Sequence, residues 1–237
     1  QQRQLVFLDH RGFAHCHRAL EPRDATLATT LADIETLRRH LGIEDCDVLG
    51  HSGHGYMALE YGRRFLPASA RVVTVATGPN HAPHHIQAAE MRWNQQASAS
   101  RKAQLARDLQ VMDRAIAQEP DQRFIWMCLG LAARSWVDPS YDARPLWQGV
   151  RVNMPVIDSL WGAKFAAYDP APALRQLGQR LLITVGLQDY LVAPPECWQP
   201  YLAQASDVQL HLFKQSSHTP SLEEPEGFAA KLLDFLG

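Results

Sequence analysis

The sequence predicts an α/β fold in which a mostly parallel sheet is covered by helices and interrupted by an inserted helical cap. Three observations carry this. Strand-like and helix-like runs alternate as far as Ala76, the signature of strands joined by helical crossovers. Strand-like runs return only at Leu181. Between them lies a stretch of helix formers, prolines and tryptophans with no clear strand. The expected layout is therefore a core of residues 1–77 and 171–237 with a cap at 78–170.

The first apolar run, 5–9, reads as a strand. A helix follows at about 30–41, where Leu31, Ile34, Leu37 and Leu41 recur at intervals of three and four and give it one apolar stripe. A strand is expected at 46–50, a helix at 55–65 that Pro67 stops from continuing, and a strand at 71–76. Gly78-Pro79 opens the cap, whose helices are expected at about 86–98, 101–118, 122–133 and 156–166, separated by Pro120, Pro139, Pro145 and Pro155. The runs 180–186 and 208–213 read as strands, and 228–236 as a C-terminal helix. A cap so placed would cover the strand ends where open α/β sheets bind ligands.

Gly50-His51-Ser52-Gly53-His54-Gly55 joins the strand at 46–50 to the helix after it. A serine on such a tight strand-to-helix turn is lifted off the strand end with its hydroxyl exposed, and small neighbours are needed because the turn is crowded. Ser52 is thus the candidate nucleophile, with the N–H of Gly53 as an oxyanion donor. Just past the strand at 180–186, Gly186-Leu187-Gln188-Asp189 supplies an acid, and past the strand at 208–213, Ser216-Ser217-His218 supplies a base. The chain order Ser52, Asp189, His218, each in a loop after a strand, is one of the arrangements known for a nucleophile, acid and base.

On these residues, and on Asp9-His10-Arg11-Gly12 after the first strand, the chain resembles the α/β-hydrolases, and most of all the prolyl aminopeptidase-like serine hydrolases. The resemblance covers nearly the whole chain, the middle least well. It implies an α/β-hydrolase fold and acyl transfer through Ser52, Asp189 and His218. Three departures stand out. His54 occupies the position that is usually glycine two residues after the nucleophile, so an imidazole is expected where backbone and strand approach closely. Gly12 is followed by Phe13-Ala14-His15-Cys16 where the relatives usually continue Gly-x-Gly-x-Ser. Finally, the relatives carry strands ahead of the one matched by 5–9, and the loop after one of them donates a second oxyanion amide. The resemblance therefore implies that the N-terminal strands are missing and that the chain, opening at Gln1, is a fragment or a processed product.

Composition fits an ordinary enzyme. The chain has 237 residues, 46% of them apolar, enough for one large buried sheet. Its net charge of -2 offers no electrostatic case for binding nucleic acid or an anionic membrane. No run reaches the roughly 18 apolar residues of a membrane-spanning helix. The four cysteines, Cys16, Cys46, Cys128 and Cys197, lack a C-x-x-C spacing and are expected as reduced thiols, which favours the cytoplasm.

Within the cap, Trp93, Trp126, Trp136, Trp147 and Trp161 individually read as packing residues but together imply an aromatic, water-poor pocket. Glu90, read from the residue alone, is a solvated helical glutamate; by analogy with the aminopeptidases it could bind a substrate's amino group. The expected substrate pocket comprises His54, Glu90, Trp93, Trp126 and Trp161. His15, His17, His81, His84 and His85 lack the acid or cysteine spacing of a zinc site and read as loop histidines facing water, so neither metal nor cofactor is expected. The expected partner is a small-molecule or short-peptide substrate. Two functions are open at this point: hydrolysis of a small ester or amide, with an N-terminal prolyl peptide as one case, or a catalytically silent protein of this fold that binds a small ligand or partner.

Overall fold

A computed structural model describes residues 3–14, 16 and 21–237. Among them the chain runs α1 (Leu27–His40), β1 (Val48–His51), α2 (His54–Phe65), β2 (Arg71–Val75), α3 (Pro83–Gln96), α4 (Ala99–Gln118), α5 (Arg123–Gly130), α6 (Ala132–Ser135), α7 (Met154–Ile157), α8 (Ala171–Gln176), β3 (Arg180–Gly186), α9 (Gln199–Leu202), β4 (Val208–Phe213), α10 (Pro220–Glu223) and α11 (Pro225–Leu236). The four strands form one sheet in the order β1-β2-β3-β4, every pair parallel. Parallel pairing brings all C-terminal strand ends to one rim, where the turns after β1, β3 and β4 carry Ser52, Asp189 and His218.

The two central strands, β2 and β3, are near-continuous buried runs because helices cover both faces, while the edge strands β1 and β4 are only partly buried. On one face Val72, Leu181, Ile183 and Val185 pack with Ala58 and Leu59 of α2, Leu174 of α8 and Trp198. On the other, Val73, Val75 and Leu182 pack with Phe235 and Leu236 of α11. The two sets alternate in sequence because successive strand side chains point to opposite faces. Full burial of each such side chain contributes about 1.5–3 kcal/mol, which fixes the register and with it the height of the turns.

Three expectations about elements need correction. Segment 5–9 forms no strand. A strand exists through its ladder with a neighbour, and β1, at the sheet edge, pairs only with β2. The segment is held at its ends instead. Arg3 bonds to Asp47 (3.2 Å) and to the carbonyl of Gly237 (2.8 Å), while Gly12 and Ala14 bond to Asn153 and Arg151. Leu5, Val6, Phe7 and Leu8 stay exposed. The helix expected at 122–133 is broken at Leu131 into α5 and α6, and the one at 156–166 becomes α7 followed by a π-helical stretch, Asp158–Lys164.

Candidate active site

Gly50 and Gly55 create the turn that holds Ser52. A Cβ on Gly50 would stand 2.1 Å from the His54 carbonyl oxygen, and one on Gly55 would stand 2.1 Å from Thr77 Oγ1. The close approach expected at residue 54 thus falls on Gly55. The His54 ring turns instead toward Trp161, edge-on at 4.9 Å between centroids. Ser52 has φ +55°, a left-handed conformation that side chains rarely adopt. Three bonds hold it there. Its N–H donates to Val75 O (2.8 Å), and its carbonyl accepts from Gly55 N (2.9 Å) and Thr77 Oγ1 (2.9 Å). Gly53 caps α2, and its N–H donates to no described residue, which leaves a free amide at the positive end of a helix.

Asp189 is fully buried and divides its carboxylate between two donors: Oδ1 accepts from Leu191 N (2.9 Å), and Oδ2 lies 2.7 Å from His218 Nδ1. Burial works against a charged His218, but the charge and hydrogen bond of Asp189 outweigh it, and the imidazole's pKa is raised. Sequence distance is bridged here by ties between the loops after β3 and β4: Gln188 N to Ser216 O (2.9 Å) and Ser217 Oγ to Gln188 O (2.9 Å). No hydrogen bond joins the Ser52 hydroxyl to His218 among the described residues. His51, the residue before Ser52, reaches the His218 carbonyl with Nε2 (2.7 Å), and the two rings lie 4.9 Å apart.

Sequence reasoning missed Glu223. Its carboxylate accepts from Ser217 N (2.8 Å) and Thr219 N (3.2 Å), the amides on either side of His218, and from Val137 N (2.7 Å) just after α6. Glu224 accepts from Gln215 N and Ser216 Oγ. His218 N itself donates to Ser135 O (3.0 Å). The loop carrying the imidazole is therefore clasped from below and tied to the helices between β2 and β3. The adjacent acids shortly after His218 were the available signal.

The expected pocket residues are not all brought together. Trp161 and His54 stand at the turn, with Trp161 Nε1 2.9 Å from the point a Cβ on Gly53 would occupy. Trp93 is buried among Ala97, Leu105, Ala133 and Tyr190, with Arg134 over its ring at 4.7 Å. Trp126 lines a separate open groove of about 650 Å³ with Trp147, none of whose lining residues is Ser52, His54 or His218. Glu90 is engaged by Arg134 through both oxygens (2.5 and 2.9 Å), which holds its carboxyl below the usual range. Of the histidines read as water-facing, His85 is a correction: it is buried in the first turn of α3 because Nδ1 pairs with Asn80 Oδ1 (2.5 Å). His15 and His17 lie outside the described residues. All four cysteines are free thiols, and no described helix is long and apolar enough to cross a membrane.

A family model described as alpha/beta hydrolase fold matches residues 1–225. The AB hydrolase superfamily protein YclE of Bacillus subtilis (strain 168) is 39% identical over 228 residues, covering 96% of this chain and 81% of that protein. The proline iminopeptidase of Heyndrickxia coagulans is 23% identical over 253 residues, covering 100% of this chain and 82% of that protein. Among solved structures, an esterase (EaEST) from Exiguobacterium antarcticum superposes with a TM-score of 0.66 at 17% identity, covering 96% of this chain and 79% of its own.

Proposed function

The chain belongs to the alpha/beta hydrolase fold family and is a hydrolase of that family; from that premise we propose that it cleaves a small ester or amide through an acyl-serine intermediate. The observation that supports this most directly is the 2.7 Å contact between His218 and a fully buried Asp189, on the same rim as a serine held at positive φ.

In this reading His218 Nε2 takes the proton of Ser52 as its oxygen attacks the substrate carbonyl. Asp189 holds Nδ1 protonated and stabilises the imidazolium that forms. The N–H of Gly53, backed by α2, stabilises the oxyanion. The imidazolium then gives its proton to the leaving alcohol or amine, and a water activated by the same ring hydrolyses the acyl-serine. Segment 78–170 serves as the cap over the rim, and the substrate is a small molecule or short peptide. The free thiols fit a reducing compartment, the cytoplasm.

The similarity to a proline iminopeptidase supports release of N-terminal proline as one case, and the likeness to an esterase supports a small ester. Glu90, paired with Arg134, is a poor ligand for an ammonium group, which places esters first. A fluorophosphonate probe should label the wild-type chain at Ser52 and leave Ser52→Ala unlabelled though folded. Parallel assays with proline p-nitroanilide and short p-nitrophenyl esters separate the two substrate classes. The missing hydrogen bond between Ser52 and His218 favours a second reading, a silent binding protein. Such contacts are often long without substrate, and a folded chain that takes no label would establish silence.

A further inference from the structure

Three imidazoles besides His218 surround the turn at Ser52, and each offers one nitrogen to a backbone carbonyl: His10 Nδ1 to Arg11 O (3.0 Å), His51 Nε2 to His218 O (2.7 Å), and His54 Nδ1 to His51 O (3.3 Å). A carbonyl only accepts, so each of those nitrogens carries the proton. Burial keeps the rings from taking a second one. It pushes His10 down, His51 down to about 4 and His54 down to about 3, the neighbouring imidazoles adding to the effect for the last two. The remaining nitrogen of each neutral ring is a bare acceptor.

Two of these acceptors belong to one cluster. The His10 ring stacks on Trp161 (5.2 Å) and Phe13 (5.3 Å) and lies 5.3 Å from the ring of His54. His10 is 5% exposed, and its Nε2 is buried with no partner among the described residues, an omission that costs about 1–3 kcal/mol unless a donor fills it. His54 Nε2 likewise makes no hydrogen bond to a described residue. No described group of three histidines, cysteines or acids stands close enough to hold a metal ion, so the lone pairs call for a hydrogen-bond donor. The cluster lies against Gly53 through Trp161. The His218 ring meets that of His51, whereas the rings of His10 and His54 meet each other, Phe13 and Trp161; a leaving group that takes its proton from His218 therefore stands away from the cluster, and the donor belongs to the acyl half of the substrate. The same desolvation that keeps the rings uncharged penalises an ammonium there, which leaves a neutral donor, and a hydroxyl is the smallest of these.

Resting on the serine-hydrolase reading, we propose that His10 and His54 form an acceptor subsite beside Ser52 that binds a hydroxyl next to the scissile carbonyl, making the enzyme selective for 2-hydroxyacyl esters. The test compares phenyl 2-hydroxypropanoate (both enantiomers), phenyl propanoate and phenyl 2-aminopropanoate, each corrected for its uncatalysed rate. One enantiomer of the hydroxy ester should exceed the propanoate in kcat/KM by about tenfold, the value of one well-made hydrogen bond. In His54→Phe and His10→Phe that ratio, measured within each variant, should collapse toward one, and His10→Gln, which keeps an acceptor, should retain part of it. Independently of any variant, nitrogen-15 NMR of the wild-type chain should find Nε2 of His10 and His54 unprotonated, shifting with 2-hydroxypropanamide and not with propanamide. A ratio near one in the wild type, a faster amino ester, unchanged ratios in the Phe variants, or protonated Nε2 atoms would each overturn the subsite. Loss of fluorophosphonate labelling at Ser52 would instead sink the serine-hydrolase reading.

Discussion

Replacing Glu223 by alanine tests whether the acid clasp positions the base. The carboxylate is half-buried and receives three backbone N–H groups, two at 2.7 and 2.8 Å and one at 3.2 Å. Burial pushes its pKa up, so the loss on truncation comes from stranded donors more than from the missing charge. A buried N–H left unpaired costs about 1–3 kcal/mol. Ser217 is fully enclosed and Val137 only partly so, and low-end values for the three together give roughly 3–4 kcal/mol. That is a large share of a domain's usual stability of about 5–15 kcal/mol. Because Ser217 and Thr219 flank His218, freeing them also frees the imidazole, and a displacement of about 1 Å can cost on the order of 100-fold in rate. Urea unfolding and ester turnover measure the two effects. Glu223→Gln, isosteric and still an acceptor, should recover at least half of the stability. A loss below about 1 kcal/mol in Glu223→Ala, or an unchanged kcat, would refute the reasoning.

Asp189→Asn removes the acceptor that fixes the His218 tautomer and should lower kcat by about 10⁴-fold with little change in Leu191's loop; turnover within tenfold of wild type would exclude the assigned role. The base works only when neutral, so kcat/KM should fall as pH drops through the pKa of His218, and because that pKa is raised the midpoint should lie above 6.5. A pH-rate profile with its acid limb below 6.5 would contradict the Asp189 contact. Gly50→Ala would drive a methyl to 2.1 Å from a backbone oxygen, which no rotamer change can relieve. It should cost about 3 kcal/mol or more, read as a fall in the thermal midpoint.

Much of this was legible in the residues. The strands at 180–186 and 208–213 coincide with the sequence reading because their apolar runs are bounded by turn residues, the first buried along nearly its whole length and the second, at the sheet edge, only partly covered. The turn at Ser52 could be read because Gly50 and Gly55 each meet a backbone or side-chain oxygen that only hydrogen could tolerate. What could not be read was long-range. Segment 5–9 has the composition of a strand, but strand formation is a property of two segments and it lies along none. The break at Leu131 follows Gly130, which presses on Met112 of α4, a contact made across two helices. Glu223 looks like any exposed acid until folding sets Val137, Ser217 and Thr219 around it. Trp93 and Trp126 carried the same aromatic signal as Trp161, and only the packing of α4, α5 and α6 separates their surroundings.

Holding a serine at φ +55° costs the chain about 1–2 kcal/mol that glycine would not incur. If Ser52 is the nucleophile proposed above, endurance and reactivity are opposed at a single methylene-hydroxyl group: a glycine there would yield a hardier but inert protein, melting above the parent. Heat tolerance alone would never have selected this side chain, and screening for thermostability at this locus would discard the reactive form first.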